Sequence, residues 1–251
     1  MKKTLAMLLA LTLTFAFTAC GGDSDAKSEG VMTHEEYTAA ALDSEVVIEA
    51  YVQAHQSWWN DQVTVYAQDK DGAYFIYNMA CSEADSEKLV PGTKIKVTGY
   101  KTEWAGEVEI AEGATFEIMD GSYIAEATDV TSLLGTDDLI KHQNEFVSFK
   151  GLTVEAYTKD GVAYDVDGEP CAFVYRDDNS GYDDHGDSDL FFNVSLDGQT
   201  YTFCVEYYLC NENSAAYNSV ENLKVGDVVD LEGFLYWYNG VNPHITSVTV
   251  K

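Results

Sequence analysis

Positive charge is scarce in this sequence. Lysine and arginine together number 14, against 43 aspartates and glutamates, and the formal net charge is −29. The only arginine is Arg176. Proteins that bind nucleic acids hold the phosphates with clustered lysine and arginine, and no such cluster is visible. The composition therefore predicts a solubilising acidic surface and argues against nucleic acid as a partner.

Familiar catalytic motifs are also missing. The sequence contains no G-x-S-x-G, no H-E-x-x-H and no paired C-x-x-C, and its five histidines are scattered. Carboxylate pairs for glycoside hydrolysis stay open as an alternative, but nothing singles out one pair among so many acidic residues. We therefore leave enzyme activity undecided and favour a binding or interaction module.

The cysteines are too few for a dense disulfide framework. Four of the five lie beyond residue 80, at Cys81, Cys171, Cys204 and Cys210. Cys204 and Cys210 would stand about 20 Å apart on a straight strand, so they pair only if the chain bends between them. Buried thiols are the alternative, and the sequence leaves both open.

The longest apolar run lies at the N-terminus. Two lysines precede residues 4–19, which carry no charge, and this is typical of a secretory signal peptide rather than a membrane span. The sequence "FTAC" resembles a bacterial lipobox, with Phe17 where leucine is commonest. The resemblance implies removal of residues 1–19 and a lipid on Cys20. We therefore expect an exported protein, anchored to the outer face of a bacterial membrane, with 20–32 as a flexible tether.

The chain contains a duplicated unit. Segments 89–110 and 223–244 align with three glycines and the flanking apolar residues in register. The glycine pairs are Gly92 with Gly226, Gly99 with Gly233, and Gly106 with Gly240. Upstream, each copy places an Asp-Gly pair, at 71–72 and 197–198, between two strand-like runs, which is a strong hairpin signal.

The sequence pattern of each copy predicts five strands, with a short helix between the third and the fourth. This is the element order of an OB-fold barrel. The stretches "PGTKIKVTGY" and "VGDVVDLEGFLYWYNG" resemble the fourth-strand region of bacterial extracytoplasmic OB-fold domains. We predict an all-β protein with short helices and two tandem five-stranded OB-fold-like barrels, at 33–125 and 126–251. A β-sandwich is the rival architecture, and the helical connection argues against it.

Aromatic residues concentrate where OB barrels bind ligands, in the loops between strands one and two and between strands four and five. Such rings suit stacking on a sugar or clasping an extended peptide, whereas plugging the barrel end is the alternative. Alternation places Leu235 and Trp237 on the barrel-facing side, so we expect Tyr236 to meet a ligand. The candidate ligand-binding residues are Trp58, Trp59, Trp104, Tyr236 and Trp237.

An acidic segment at 175–190 lengthens the second copy. Clustered oxygen ligands suit Ca²⁺, but Gly181 and Tyr182 stand where the EF-hand pattern requires an acidic ligand and a glycine. The candidate metal ligands are Asp177, Asp178, Asn179, Asp183, Asp184, Asp187 and Asp189. We favour a solvated loop without a cofactor. A metal-assisted hydrolase that uses 177–189 is the alternative function.

These observations predict a lipid-anchored surface protein that acts as a non-catalytic binding module. Its expected partners are the membrane, through the lipid on Cys20, and a neutral glycan, an extended peptide or a protein. A purely structural surface protein without a small ligand is a third possibility.

Overall fold

The computed structural model describes residues 27–159, 161–175 and 187–251. The predicted signal peptide and Cys20 lie outside these ranges, as do five of the seven candidate metal ligands, Asp177, Asp178, Asn179, Asp183 and Asp184. Within the described ranges, no helix combines the length and the apolar character needed to span a membrane.

The first barrel is preceded by a short helix with a complete capping box. Thr33 accepts a hydrogen bond from the Glu36 amide, and Glu36 accepts one from the Thr33 amide. The elements are α1 (His34–Ala39), β1 (Glu45–His55), β2 (Gln62–Gln68), β3 (Ala73–Ala80), α2 (Glu83–Ser86), β4 (Thr93–Trp104), β5 (Glu107–Ile110) and β6 (Thr115–Ser122).

The first barrel closes through strands β1 to β5. Neighbouring strands follow the order β1-β2-β3-β5-β4, and β4 pairs back with β1. All these pairings are antiparallel except β3 with β5, which is parallel. Alternating apolar side chains, including those of Ile48, Ile76 and Ile95, fill the interior and are fully buried. β6 extends the sheet from β4.

The second barrel repeats this arrangement with more connections. It includes two 3₁₀ turns, Thr131–Leu133 and Asp137–His142. Its other elements are β7 (Thr128–Asp129), β8 (Phe146–Glu155), β9 (Thr158–Lys159), β10 (Val162–Ala163), β11 (Asp165–Val166), β12 (Glu169–Pro170), β13 (Phe173–Tyr175), β14 (Leu190–Leu196), β15 (Gln199–Val205), α3 (Ala215–Glu221), β16 (Val228–Phe234) and β17 (His244–Val250).

The second barrel closes in the same order as the first. Its strands run β8-β14-β15-β17-β16, and β16 pairs with β8. The pairing of β15 with β17 is parallel, like that of β3 with β5. The predicted turn between β14 and β15 has both central residues at positive φ, Asp197 at 51° and Gly198 at 82°, as a type I′ hairpin requires. The prediction of two five-stranded OB-like barrels is confirmed.

An aromatic cluster joins the two barrels. The ring of Tyr66, from β2, stacks on Phe234, from β16, with the ring centroids 4.5 Å apart. Phe75 and Tyr236 complete the cluster, and all four side chains are buried. The hydroxyl of Tyr66 also lies 2.6 Å from Nδ1 of His244 in β17. The boundary between the barrels is therefore packed as an apolar core.

The cysteines of the barrels are buried. Cys81, Cys171 and Cys210 are free thiols, and Cys204 is buried as well. Burial raises the pKa of the Cys81 and Cys210 thiols to about 11, so both are neutral near neutral pH. These three side chains therefore pack as small apolar groups.

Candidate ligand-binding cleft

A cleft of about 1590 Å³ lies between the two barrels. We call it the inter-barrel cleft. Its walls come from β2, β3 and the β4–β5 turn of the first barrel, and from β15 and the segment after β16 of the second. The aromatic residues that line it are Trp59, Phe75, Tyr77, Trp104, Tyr157, Phe191, Tyr201, Tyr208, Tyr236 and Tyr238. A concave surface with this many rings is the kind of place where proteins bind small molecules.

Exposed rings from both barrels border the cleft. Trp59 is 68% exposed and Trp104 is 55% exposed. Trp104 contacts Tyr238 of the second barrel, with ring centroids 5.1 Å apart. The amide of Asn239 donates to the carbonyl of Ala105 over 2.7 Å, which joins the two turns that carry these rings. Trp104 and Tyr238 are therefore held in place, while about half of each side chain stays exposed to solvent.

The other predicted ligand-binding residues are more enclosed. Nε1 of Trp58 donates to the Cys81 carbonyl over 2.8 Å, so this half-buried ring anchors its loop to the barrel. Trp237 is half-buried and packs so closely over Gly106 that a Cβ there would lie 2.9 Å from Cδ1 of Trp237. Tyr236 lines the cleft but is buried, because its ring stacks on His244 at 4.2 Å. The structure thus brings Trp59, Trp104 and Tyr236 to the cleft, and Trp58 and Trp237 to supporting positions.

The polar lining consists of amides, hydroxyls and carboxyls. The amide and hydroxyl side chains are those of Gln56, Ser57, Gln62, Thr64, Asn78, Thr102, Thr158, Thr200, Thr202, Asn239 and Asn242. The carboxyl groups are those of Glu103, Glu109, Asp189 and Glu206. Burial lowers the pKa of His244 to about 3, so its ring is neutral near neutral pH. Among the lining residues that the structure describes, every formal charge is negative.

Two of the lining carboxyls are buried, one from each barrel. Glu206 accepts a hydrogen bond from the Leu209 amide over 2.6 Å, and burial together with the nearby Asp189 raises its pKa to about 8. Glu109 is 7% exposed, and burial raises its pKa to about 7. Sequence reasoning missed both residues, because a glutamate in an acidic chain gives no signal of its own.

A third carboxyl, Glu107, lies at the boundary between the barrels. It is completely buried and accepts hydrogen bonds from the Trp237 amide over 2.9 Å and from Nε2 of Gln143 over 3.1 Å. Burial raises its pKa to about 8, although these hydrogen bonds favour the ionised form. Glu107 therefore connects the barrels, and its environment favours the neutral acid.

These pKa shifts predict that stability falls as the pH rises from 6.5 to 8.5. The carboxyls of Glu107, Glu109 and Glu206 hold protons in the folded protein up to about pH 7 to 8, whereas in the unfolded chain they lose them near 4.5. Their contribution is therefore complete below pH 4.5, declines as the pH rises above that value, and is lost once the pH has passed 7 to 8. His244 acts in the opposite direction, and its contribution is complete above 6.5.

Urea denaturation at intervals of half a pH unit measures this decline, and Glu107→Gln is expected to make it shallower. Glutamine keeps an acceptor for the Trp237 amide but has no proton to lose. A decline of unchanged slope in Glu107→Gln would contradict the assignment of the shift to this carboxyl.

The candidate metal site is only partly within the described ranges. Asp189 lines the cleft and accepts a hydrogen bond from the Tyr207 amide over 2.8 Å. Asp187 is exposed. In 27–159, 161–175 and 187–251, no three histidine, cysteine or acidic side chains are grouped so as to hold a metal ion.

Among known proteins, the chain is similar in fold to several solved structures. The sequence matches no protein-family model, and it has no significant match among curated proteins. Among solved structures it is similar to a murine DNA-binding protein bound with ds DNA, with 10% identity over 82% of this chain and 98% of that one and a TM-score of 0.37. It is also similar to the Ifi202 HINa domain in complex with 20bp dsDNA, with 11% identity over 83% and 98% and a TM-score of 0.35.

A third similar structure is the p204 HINb domain, with 11% identity over 81% of this chain and 95% of that one and a TM-score of 0.34. The two DNA complexes contradict the exclusion of nucleic acid that the composition suggested, since structures of similar fold hold DNA. The composition argument was wrong because a charge summed over the chain describes the average surface and not the ligand of a particular face. Fold and site together define a tandem OB-barrel protein with a ring-lined cleft between its barrels.

Proposed function

We propose that this protein is a non-catalytic binding module, exported and anchored by a lipid on Cys20, that holds a glycan free of acidic groups in the inter-barrel cleft. Export and anchoring rest on the signal-peptide pattern and on the lipobox resemblance of "FTAC". The choice of a glycan as the ligand is based on the residues that line the inter-barrel cleft.

The observation that carries the proposal is the set of exposed rings from both barrels around one cleft, together with its amide and hydroxyl lining. An aromatic face packs well against the apolar face of a sugar ring. The side chains of Trp59, Trp104, Tyr208 and Tyr238 border the cleft and are at least half exposed. Amides and hydroxyls, such as those of Gln62, Asn78 and Thr102, match the hydroxyl groups at the edge of a sugar. Because the described lining contains carboxyls and neither lysine nor arginine, an anionic glycan would find no positively charged partner there.

A glycan array tests the proposal, with the purified protein compared with its Trp59→Ala/Trp104→Ala variant. Each ring is expected to contribute about 1 kcal/mol, so the double variant should bind its glycans about 30-fold more weakly. Both side chains are largely exposed, and their removal should leave the fold unchanged.

Tyr100→Ala is the matched control. Tyr100 is 56% exposed and lies outside the cleft lining. Its removal should leave binding unaltered. Undiminished binding by the double variant, or binding of extended peptides without any glycan, would contradict the proposal.

A further inference from the structure

Strand β5 presents two carboxyls to the outside of the first barrel. Val108 and Ile110 pack against the barrel interior, so alternation directs Glu107 and Glu109 outward, towards the second barrel. Both side chains are nevertheless buried, because the second barrel covers this face. The same short strand therefore carries two buried acids at the boundary.

The two acids differ in what they contact. Glu107 is held by the Trp237 amide and by Gln143. Glu109 is more than nine-tenths buried and lines the cleft, and no described residue forms a hydrogen bond or an ion pair with its carboxyl group. The carboxyl oxygens of Glu109 are not completely enclosed, unlike Oε1 of Glu107, but so little of the residue is exposed that the carboxyl loses most of its contact with water. Its missing partner can enter through the cleft.

The surroundings of Glu109 indicate the chemistry of that partner. Its neighbours across the sheet are Phe75 and Thr102, and the cleft also carries the buried acid Glu206 from the other barrel. Lysine and arginine are absent from the described lining, and His244 is neutral. Aromatic faces such as those of Trp104 and Tyr236 attract cations. Carboxyls among aromatic rings form a setting that favours a ligand with a positive charge.

We propose that Glu109 receives a protonated amine of the bound ligand, so that the preferred glycans are those with free amino groups. This inference rests on the proposed function and names its ligand class. A single charged hydrogen bond in a buried setting is sufficient for at least a tenfold preference.

Three β-1,4-linked tetrasaccharides test the preference for an amine, because they share one backbone and differ in carrying an amine, a hydroxyl or an amide. These are the tetramers of glucosamine, glucose and N-acetylglucosamine, titrated by calorimetry at pH 6.5 into the full protein. The glucosamine tetramer is expected to bind at least tenfold more tightly than either of the others.

Glu109→Gln is expected to remove this preference. The variant should bind the glucosamine tetramer about tenfold more weakly and the glucose tetramer within twofold of the parent protein. A bound ammonium group favours the ionised form of the Glu109 carboxyl, whereas glutamine keeps the shape but cannot become charged. Glu103→Gln is the matched control, since Glu103 lines the same cleft but is exposed. It should preserve the preference.

The outcomes distinguish this inference from the proposed function. Equal affinity for the three tetramers, or a preference that survives Glu109→Gln, overturns the amine at Glu109 and leaves glycan binding intact. Binding only of glycans without amines would likewise overturn the amine at Glu109 and leave glycan binding intact. If no glycan of any kind binds, both proposals fail.

Discussion

Gly233→Ala is expected to lower the free energy of unfolding by about 3 kcal/mol or more, as overpacking of a closed core does. Gly233 lies in β16 opposite Ile245 of β17. A Cβ at this position would meet the carbonyl oxygen of His244 at 2.2 Å and Cα of Ile245 at 2.8 Å. These are backbone atoms of a paired strand, so they can move only if the ladder opens. Urea denaturation followed by circular dichroism measures the loss.

Gly226→Ala serves as the comparison because its cost has a different origin. Gly226 has φ of 93°, and a Cβ there would find nothing within 4 Å. The expected cost is the left-handed backbone alone, about 1 kcal/mol. If Gly233→Ala costs no more than Gly226→Ala, the close approach of β16 and β17 is not what requires a glycine.

Phe234→Ala is expected to cost about 3 kcal/mol and to loosen the contact between the barrels, since removal of a buried aromatic ring leaves a cavity. The ring of Phe234 is buried between Tyr66 of the first barrel and Phe146 of the second. Two amides report on the boundary directly: that of Phe146 donates to Oε1 of Gln68 over 2.7 Å, and that of Trp237 donates to Glu107. Both should exchange hydrogen faster in the variant.

Tyr100→Ala is the control for Phe234→Ala, because Tyr100 is its counterpart in the repeat and is exposed. It should change neither the stability nor the exchange of the two amides. If Phe234→Ala lowers stability while both amides stay protected, the ring supports only the core of the second barrel.

The fold could be predicted because its requirements act on single residues. Gly233 and its counterpart Gly99 have no space for a side chain: a Cβ at Gly99 would meet Cγ2 of Ile110 at 2.5 Å. The Asp197-Gly198 turn requires two positive φ angles, which few residues other than glycine, asparagine and aspartate adopt. The lack of space at Gly99 and Gly233 acts in both copies and leaves glycine at the equivalent position of each. The turn constraint acts in the second copy, since neither Asp71 nor Gly72 has a positive φ.

The site could be predicted only in part, because alternation reports which side of one barrel a residue faces and not what covers that side. It placed Tyr236 outside the second barrel, and the first barrel then buries it against Phe75. The burial of Glu109 could not be predicted for the same reason. Trp59 and Trp104 could be identified because they lie in loops where OB barrels commonly bind their ligands.

The contact between the two turns has a consequence for assembly. Trp104 and Tyr238 occupy the same position in the repeat, as do Ala105 and Asn239, and each pair is in contact. A residue that meets its own equivalent lies near a local two-fold axis, the arrangement that identical subunits use when they form a dimer. Here both halves of that isologous contact belong to one chain. The two barrels of one chain therefore contact each other as two identical subunits would. The surface formed by these two turns is already covered within the chain and is not free to contact a second copy.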